Sequence, residues 1–487
     1  MIFFLVLFFD IFWRFFNYTN RWTLSQDQAR DGIIGLYILS HQTLPLLGPP
    51  SSAGFFSFGP LYYWLIGLFT LVFTPIHYFG PWIGFTILSI ISVLIFYYFG
   101  KNLLGNKFGF ILGLIAAFVS QDVFNAPDML NPMLIGFAVS VAFFSLQKIV
   151  DQGKILFSVI LGLSVGLAIN LHFQSLGLLP LLLLTLVFNK FTFKIRIKVL
   201  AGILIGTLLV FIPLIYFDIL HQGAWITSVA NYFISGQNKF NIQTNWITDL
   251  VSFWPKLWGE VMVNQPKSGY LFVSILLISL FLSLKNKIKQ PYSVTIIFWT
   301  FLLQIIMLHF YKGPRMSVYL IVYHPFFIFF TTWSVWMISK YHKILGLVIF
   351  LLILATAAYS NWQIVHQDSQ APLMLSIKQN LEKSTGSNSF RILSSDSSFN
   401  ISLPLYYLLQ KENKVSEKGK KIGVCDHTIK RTEDLKGYVD NCPVSDSLLF
   451  EVNQYRVFDL DKEENSDQLF EVKDEKIYHW LYSNYPK

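Results

Sequence analysis

Twelve apolar runs, joined by loops in which lysine and arginine recur after every second run, leave this chain few ways to fold. The first covers Met1 to about Phe16, and the others lie at roughly 60–76, 82–100, 106–120, 132–150, 155–171, 173–188, 198–218, 270–284, 291–309, 320–338 and 344–361. Most are long enough to cross a bilayer as helices, and lipid forces each crossing to satisfy its own backbone hydrogen bonds. Only 13% of the residues are charged, against about 25% in a soluble domain. The fold class is therefore an α-helical polytopic membrane protein with about 11–13 spans. The first run has no basic leader and no small-residue cleavage site, so it reads as an uncleaved anchor.

The loop charges set the orientation. Lys101/Lys107, Lys148/Lys154, Lys190/Lys194/Arg196/Lys198, Lys285/Lys287/Lys289 and Lys340/Lys343 mark five cytoplasmic loops by the positive-inside rule. The alternate loops and the tail then lie outside. The formal net charge of +9 is thus spent on membrane orientation and does not point to nucleic acid. One run breaks the alternation. With the first loop (17–59) outside and the turn near Pro75–Pro81 also outside, 60–76 enters and leaves on one face, as a re-entrant or interfacial segment. About eleven true spans remain. The long outside loop 219–269 holds Trp225, Trp246, Trp254 and Trp258, which predicts an amphipathic surface helix over about 245–261.

Residues 1–361 form the membrane domain, and 362–487 read as a small soluble α/β domain outside the membrane. Before residue 361 the acids are only Asp10, Asp27, Asp31, Asp122, Asp128, Asp151, Asp218, Asp249 and Glu260; the rest lie in the tail. Short strands are expected at 391–393, 422–424, 448–450 and 455–458, with a helix over 403–410. Both cysteines, Cys425 and Cys442, are in this tail, and their spacing fits no metal site. A disulfide and two free thiols both remain open.

Four outside features carry polar chemistry. Asp27 and Asp31 are four residues apart, on one face of a helix; acids beside a membrane bundle are functional candidates, although acids in a first helical turn also simply favour the helix dipole. Asp128, with Asp122 close by, sits between Pro127 and Pro132 on a tight turn, where helix capping is the plain alternative. His172 ends a pair of spans, and such a histidine is more often a satisfied polar group than a base. Lys312-Gly313-Pro314-Arg315, followed by Tyr319 and His324, is a basic stretch outside, against the orientation rule. Arginine suits a phosphate through its two-pronged geometry. A sugar on a lipid phosphate needs a cation for the departing phosphate and a carboxylate to take the acceptor's proton.

These segments, in this order, resemble the GT-C type glycosyltransferases that use lipid-linked sugars. More narrowly, they are similar to the protein O-mannosyltransferases and bacterial aminoarabinose transferases. The matching segments are Asp27-Gln28, Phe58-Gly59-Pro60-Leu61-Tyr62-Tyr63-Trp64, Asp128, and Arg315 through Pro325. Gln28 stands where that family has a second acid, and Phe58 where it has a phosphate-contacting lysine. The resemblance implies Asp27 as general base with inversion at the anomeric carbon, and Asp128 and Asp31 as further catalytic candidates. With Phe58 in place of that lysine, Lys312 and Arg315 are the phosphate candidates, and Tyr319, His172, Tyr62 and Tyr63 are further substrate-contact candidates. The implied partners are a polyprenyl-phosphate sugar donor, the bilayer, and a lipid, glycan or protein acceptor on the outer face of a bacterial-type plasma membrane. Some relatives use a divalent metal, for which the dispersed acids here define no ligand set. Two rival readings are a flippase for lipid-linked glycans, weakened by the lack of visible repeats, and a ligase or polymerase using a diphosphate-linked oligosaccharide.

Overall fold

The computed structural model describes residues 2–51, 54–73, 79–188, 191–235, 246–311, 315, 317–394, 399–426, 448–452, 455–461 and 470–483. Its apolar runs all become helices. The chain begins with α1 (Ile2–Phe15), α2 (Tyr18–Arg21), α3 (Gln26–His41), α4 (Leu61–Phe73), α5 (Gly80–Leu104), α6 (Asn106–Phe118) and α7 (Ser120–Asn125). It continues through α8 (Ile135–Val150), α9 (Phe157–Leu171), α10 (Leu179–Val187), α11 (Phe193–Leu220), α12 (Ala224–Ala230) and α13 (Trp246–Val263). The last membrane helices are α14 (Gly269–Lys285), α15 (Tyr292–His309), α16 (His324–Tyr341) and α17 (Lys343–Val365).

Among the described residues, seven helical segments are long and apolar enough to cross a membrane, and four shorter apolar helices accompany them. Lipid exposure explains their surfaces. On α11, Leu204, Ile205, Leu208, Leu209 and Ile212 are all half exposed, an apolar band that water would not tolerate. By contrast α16 is enclosed on every side and packs Phe326, Phe327, Phe329, Phe330 and Trp333 into the core. Helices α9 and α11 meet through small residues. A Cβ on Gly206 would fall 2.1 Å from the Val159 carbonyl oxygen, so the backbones approach as they do at small-xxx-small contacts in membranes.

The described part of the irregular run at 60–76 is helix α4, with 13 residues, the same length as α6. Its first turn lies beside Met129 and Asn170 at the outer ends of spans. Its far end leads to α5, whose first residues touch Trp22 and Thr23, again on the outer side. Leu68, Leu71 and Val72 face outward, the exposure expected of an interfacial helix. The amphipathic helix expected over 245–261 is α13, which buries Trp254 and Trp258 against the outer ends of α14 and α16.

The tail comprises α18 (Gln370–Thr385), β1 (Phe390–Ser394), α19 (Phe399–Lys411), β2 (Lys420–Asp426), β3 (Leu448–Val452), β4 (Tyr455–Asp459), β5 (Phe470–Glu471) and α20 (Asp474–Trp480). Its five-stranded sheet has the order β3-β4-β2-β1-β5. Strands β1 and β2 are parallel, joined by α19, and the other pairs are antiparallel. The four strands and the helix expected from sequence all form. The question of a disulfide falls on Cys442, outside the described residues. The domain rests directly on α3. Tyr407 of α19 lies so close to Gly32 that a Cβ there would come within 2.7 Å of its ring, and α20 stacks Tyr478 on Tyr37 at 4.3 Å.

The loop from α3 to α4 is pinned by a second close approach. The Gly59 N–H donates to the Asn170 carbonyl at 2.8 Å, and a Cβ on Gly59 would fall 1.9–2.0 Å from the Asn170 side chain. Gly59→Ala should therefore displace the loop and destabilise the protein by about 1–3 kcal/mol. Thermal unfolding in detergent measures this, and an unchanged midpoint would show that the contact is loose.

Candidate active site

Helix α3 delivers three polar side chains in three directions. It opens on a capping box. The Ser25 hydroxyl accepts from the Gln28 backbone N–H, and the Gln28 side-chain oxygen accepts from the Ser25 N–H at 3.2 Å. This fixes Gln28, whose amide then donates to Asp128 Oδ1 at 2.7 Å. An acid at position 28 would have set two carboxylates face to face; the amide instead supplies a donor.

Asp31 is 1% exposed and accepts three hydrogen bonds: from Arg30 Nε at 2.8 Å, Tyr62 at 2.8 Å and Tyr63 at 3.0 Å. Burial raises its pKa, and the charge and hydrogen bond of Arg30 pull it back. Tyr62 and Tyr63 are themselves fully buried, so they support Asp31 from behind the cavity. Asp27 is different. Its side chain is 57% exposed and is held only by Arg30, at 2.8 Å. One guanidinium therefore joins a buried acid to an exposed one. Arg30 is the residue that sequence reasoning passed over, and its i+3 spacing from Asp27 was the available signal.

Asp27 and Arg30 open onto a cavity of about 790 Å³ between the outer ends of the helices. Its walls are largely aromatic, including Phe56, Phe58, Phe173, Tyr311 and Tyr319. His172 lies in this wall, sandwiched between Phe58 at 4.9 Å and Tyr319 at 4.8 Å. Its Nδ1 accepts from the Gln174 N–H at 3.3 Å, so Nε2 carries the proton. Burial lowers the His172 pKa to about 4, leaving a neutral ring that can donate but is not poised to act as a cation.

The other candidates sit apart. Asp128 is 8% exposed and borders a separate crevice of about 40 Å³ with Asp122 and Arg14. Its pKa is raised to about 6, mainly by burial and in part by the charge on Asp27; hydrogen bonds from Gln28 and the Met129 backbone lower it. Arg315 pairs with Asp249 of α13 at 2.6 Å and lies over the Phe253 ring, beside the cavity rather than among its lining residues. Lys312 falls outside the described residues. His324 bonds Asp122 at 2.7 Å. Among the described residues no group of three or more His, Cys, Asp or Glu side chains is placed to hold a metal ion.

Two outcomes follow from this geometry. Asp31→Ala should destabilise the protein by about 1–3 kcal/mol, because it leaves the buried Tyr63 hydroxyl without this acceptor and takes one of the two carboxylates from Arg30. Asp31→Asn, which keeps an acceptor, should lose less; equal unfolding midpoints for wild type and Asp31→Ala would contradict the buried network. Asp128 should titrate near pH 6, protonated below and ionised above. Infrared difference spectra of wild type against Asp128→Asn report that carboxyl directly, and a midpoint near 4 would mean that water reaches it.

Comparison with known proteins gives the arrangement its context. Residues 57–217 match the family of dolichyl-phosphate-mannose-protein mannosyltransferases. No curated protein matches the chain. ArnT from Cupriavidus metallidurans bound to undecaprenyl phosphate superposes with a TM-score of 0.59 at 10% identity, covering 93% of this chain and 97% of that one. Its apo state gives 0.58 at 9% identity, covering 86% and 92%. An oligosaccharyltransferase from Archaeoglobus fulgidus, in complex with Zn and sulfate, aligns at 0.49 and 10% identity, covering 88% and 68%. The chain therefore shares its membrane fold with ArnT, and its residues 57–217 are similar to the dolichyl-phosphate-mannose-protein mannosyltransferases.

Proposed function

We propose that this protein is a glycosyltransferase of a bacterial-type plasma membrane, moving a sugar from a polyprenyl phosphate to a hydroxyl or amine on the outer face. The observation that carries this reading is the Asp27–Arg30 pair at the mouth of an aromatic cavity, between the outer ends of the helices. The matched family is described by dolichyl-phosphate mannose, and one structure sharing this fold holds undecaprenyl phosphate. Both are lipid phosphates.

In this reading the acceptor O–H or N–H gives its proton to Asp27 as its oxygen or nitrogen bonds the anomeric carbon. The bond from that carbon to the phosphate oxygen breaks at the same time, and the configuration inverts. The polyprenyl phosphate leaves with the electron pair, and Arg30 faces the negative charge it carries. Asp31 keeps Arg30 in place, while Gln28 ties the start of α3 to Asp128. The low-lying His172 ring and the cavity tyrosines offer hydrogen bonds to the sugar.

Asp27→Asn keeps the size of the side chain and removes the base. Transfer of radiolabelled sugar from polyprenyl-phosphate donors into membrane extract should fall by about 10²–10⁴-fold. Its unfolding midpoint should move little, since the pair with Arg30 is exposed at the Asp27 end. Undiminished transfer would remove Asp27 from the reaction, and lipid-linked sugar crossing the bilayer without transfer would favour the flippase reading.

A further inference from the structure

Among the described residues lining the large cavity, Trp480 alone comes from beyond α17. Helix α3, the loop from α3 to α4 and the ends of the membrane helices supply the other walls, and the tail supplies this one from the last residue of α20. That helix is firmly seated. Tyr478 stacks on Tyr37 at 4.3 Å and Tyr37 on His41 at 3.9 Å. Leu481 is buried, and the Tyr482 hydroxyl accepts from the Leu46 N–H at 3.2 Å. Between these anchors Trp480 is 49% exposed.

An indole has few rotatable bonds to restrict on binding, and on a helix seated this way it presents an apolar face to the cavity. Its surroundings are polar. The Arg30 guanidinium lies over one face of the ring, 5.9 Å from its centroid, so a ligand takes the opposite face, and Gln26 and Asp27 line the same cavity. A flat aromatic face beside a carboxylate and an amide complements a pyranose ring, which has one C–H face and a rim of hydroxyls. A peptide recognised by strand addition would need a sheet edge, and no described residue of β1–β5 lines this cavity.

We propose that Trp480 is the stacking platform for a sugar ring of the acceptor, so the acceptor is a saccharide or glycolipid rather than a protein. This rests on the glycosyl-transfer reading and deepens it. The ring lies on the indole, one hydroxyl faces Asp27, and the tail domain thereby selects the acceptor while the membrane helices hold the donor.

The test uses the full-length protein in nanodiscs, labelled with 5-fluorotryptophan. The resonance absent from Trp480→Phe identifies Trp480. Titration with cello-, malto- and manno-hexaose should shift that resonance for at least one sugar, whereas a serine- and threonine-containing hexapeptide should leave it unmoved. A shift with the peptide alone, or with none of the probes, overturns the proposal; neither result depends on catalysis, so the assignment of Asp27 stands or falls separately. In the transfer assay, Trp480→Ala should raise acceptor KM by about 10-fold, the loss of one aromatic stack, with kcat much less affected. Trp480→Phe should recover most of the affinity. A product released by protease, or an equal fall in kcat for both variants with KM unchanged, would also contradict the platform.

Discussion

The buried carboxylate of Asp31 is the interaction on which the candidate site depends. An ionised group fully withdrawn from water is costly unless it is paired and hydrogen-bonded, and here a guanidinium and two phenols meet it. The same contacts bind α3 to the start of α4 and fix the plane of Arg30. Because the guanidinium is rigid and forked, fixing one prong on Asp31 aims the other at Asp27. The exposed acid therefore owes its position to the buried one. Gln28 makes the parallel connection on the other side of α3, through Asp128.

Around this knot the membrane frame is organised by what each surface meets. Helix α16, buried on all sides, fills the centre; α11 gives a broad face to lipid and meets α9 closely where glycines let the backbones approach. Helix α4 has both ends beside outer-side residues, with the cavity, the tail and α3.

Much of this was legible in the sequence. The apolar runs matched helices nearly end for end, since length and hydrophobicity alone decide what lipid accepts. The odd run at 60–76 announced itself through loop charge, a property visible without coordinates. The strands of the tail followed from their short β-branched and aromatic patches. The division of labour between Asp27 and Asp31 was not legible. Spacing places both on one face, but only the tyrosines of α4 decide which acid is buried. Gln28 was recognisable as a departure from the family pattern, while its reason lay a hundred residues away at Asp128. Arg315 drew attention by its place in an outside loop, yet its partner Asp249 comes from a helix whose approach no local pattern encodes. Trp480 gave no signal at all, because its exposure is a property of how the tail docks.

That docking has a consequence for the order in which the protein is made. The cavity wall at Trp480 and the tyrosines seating α20 follow helices α1 to α17 in the chain. Every membrane helix must already be inserted, and the tail carried across the bilayer, before the site is closed on that side. A chain still being inserted holds its acid and its cation beside an open mouth.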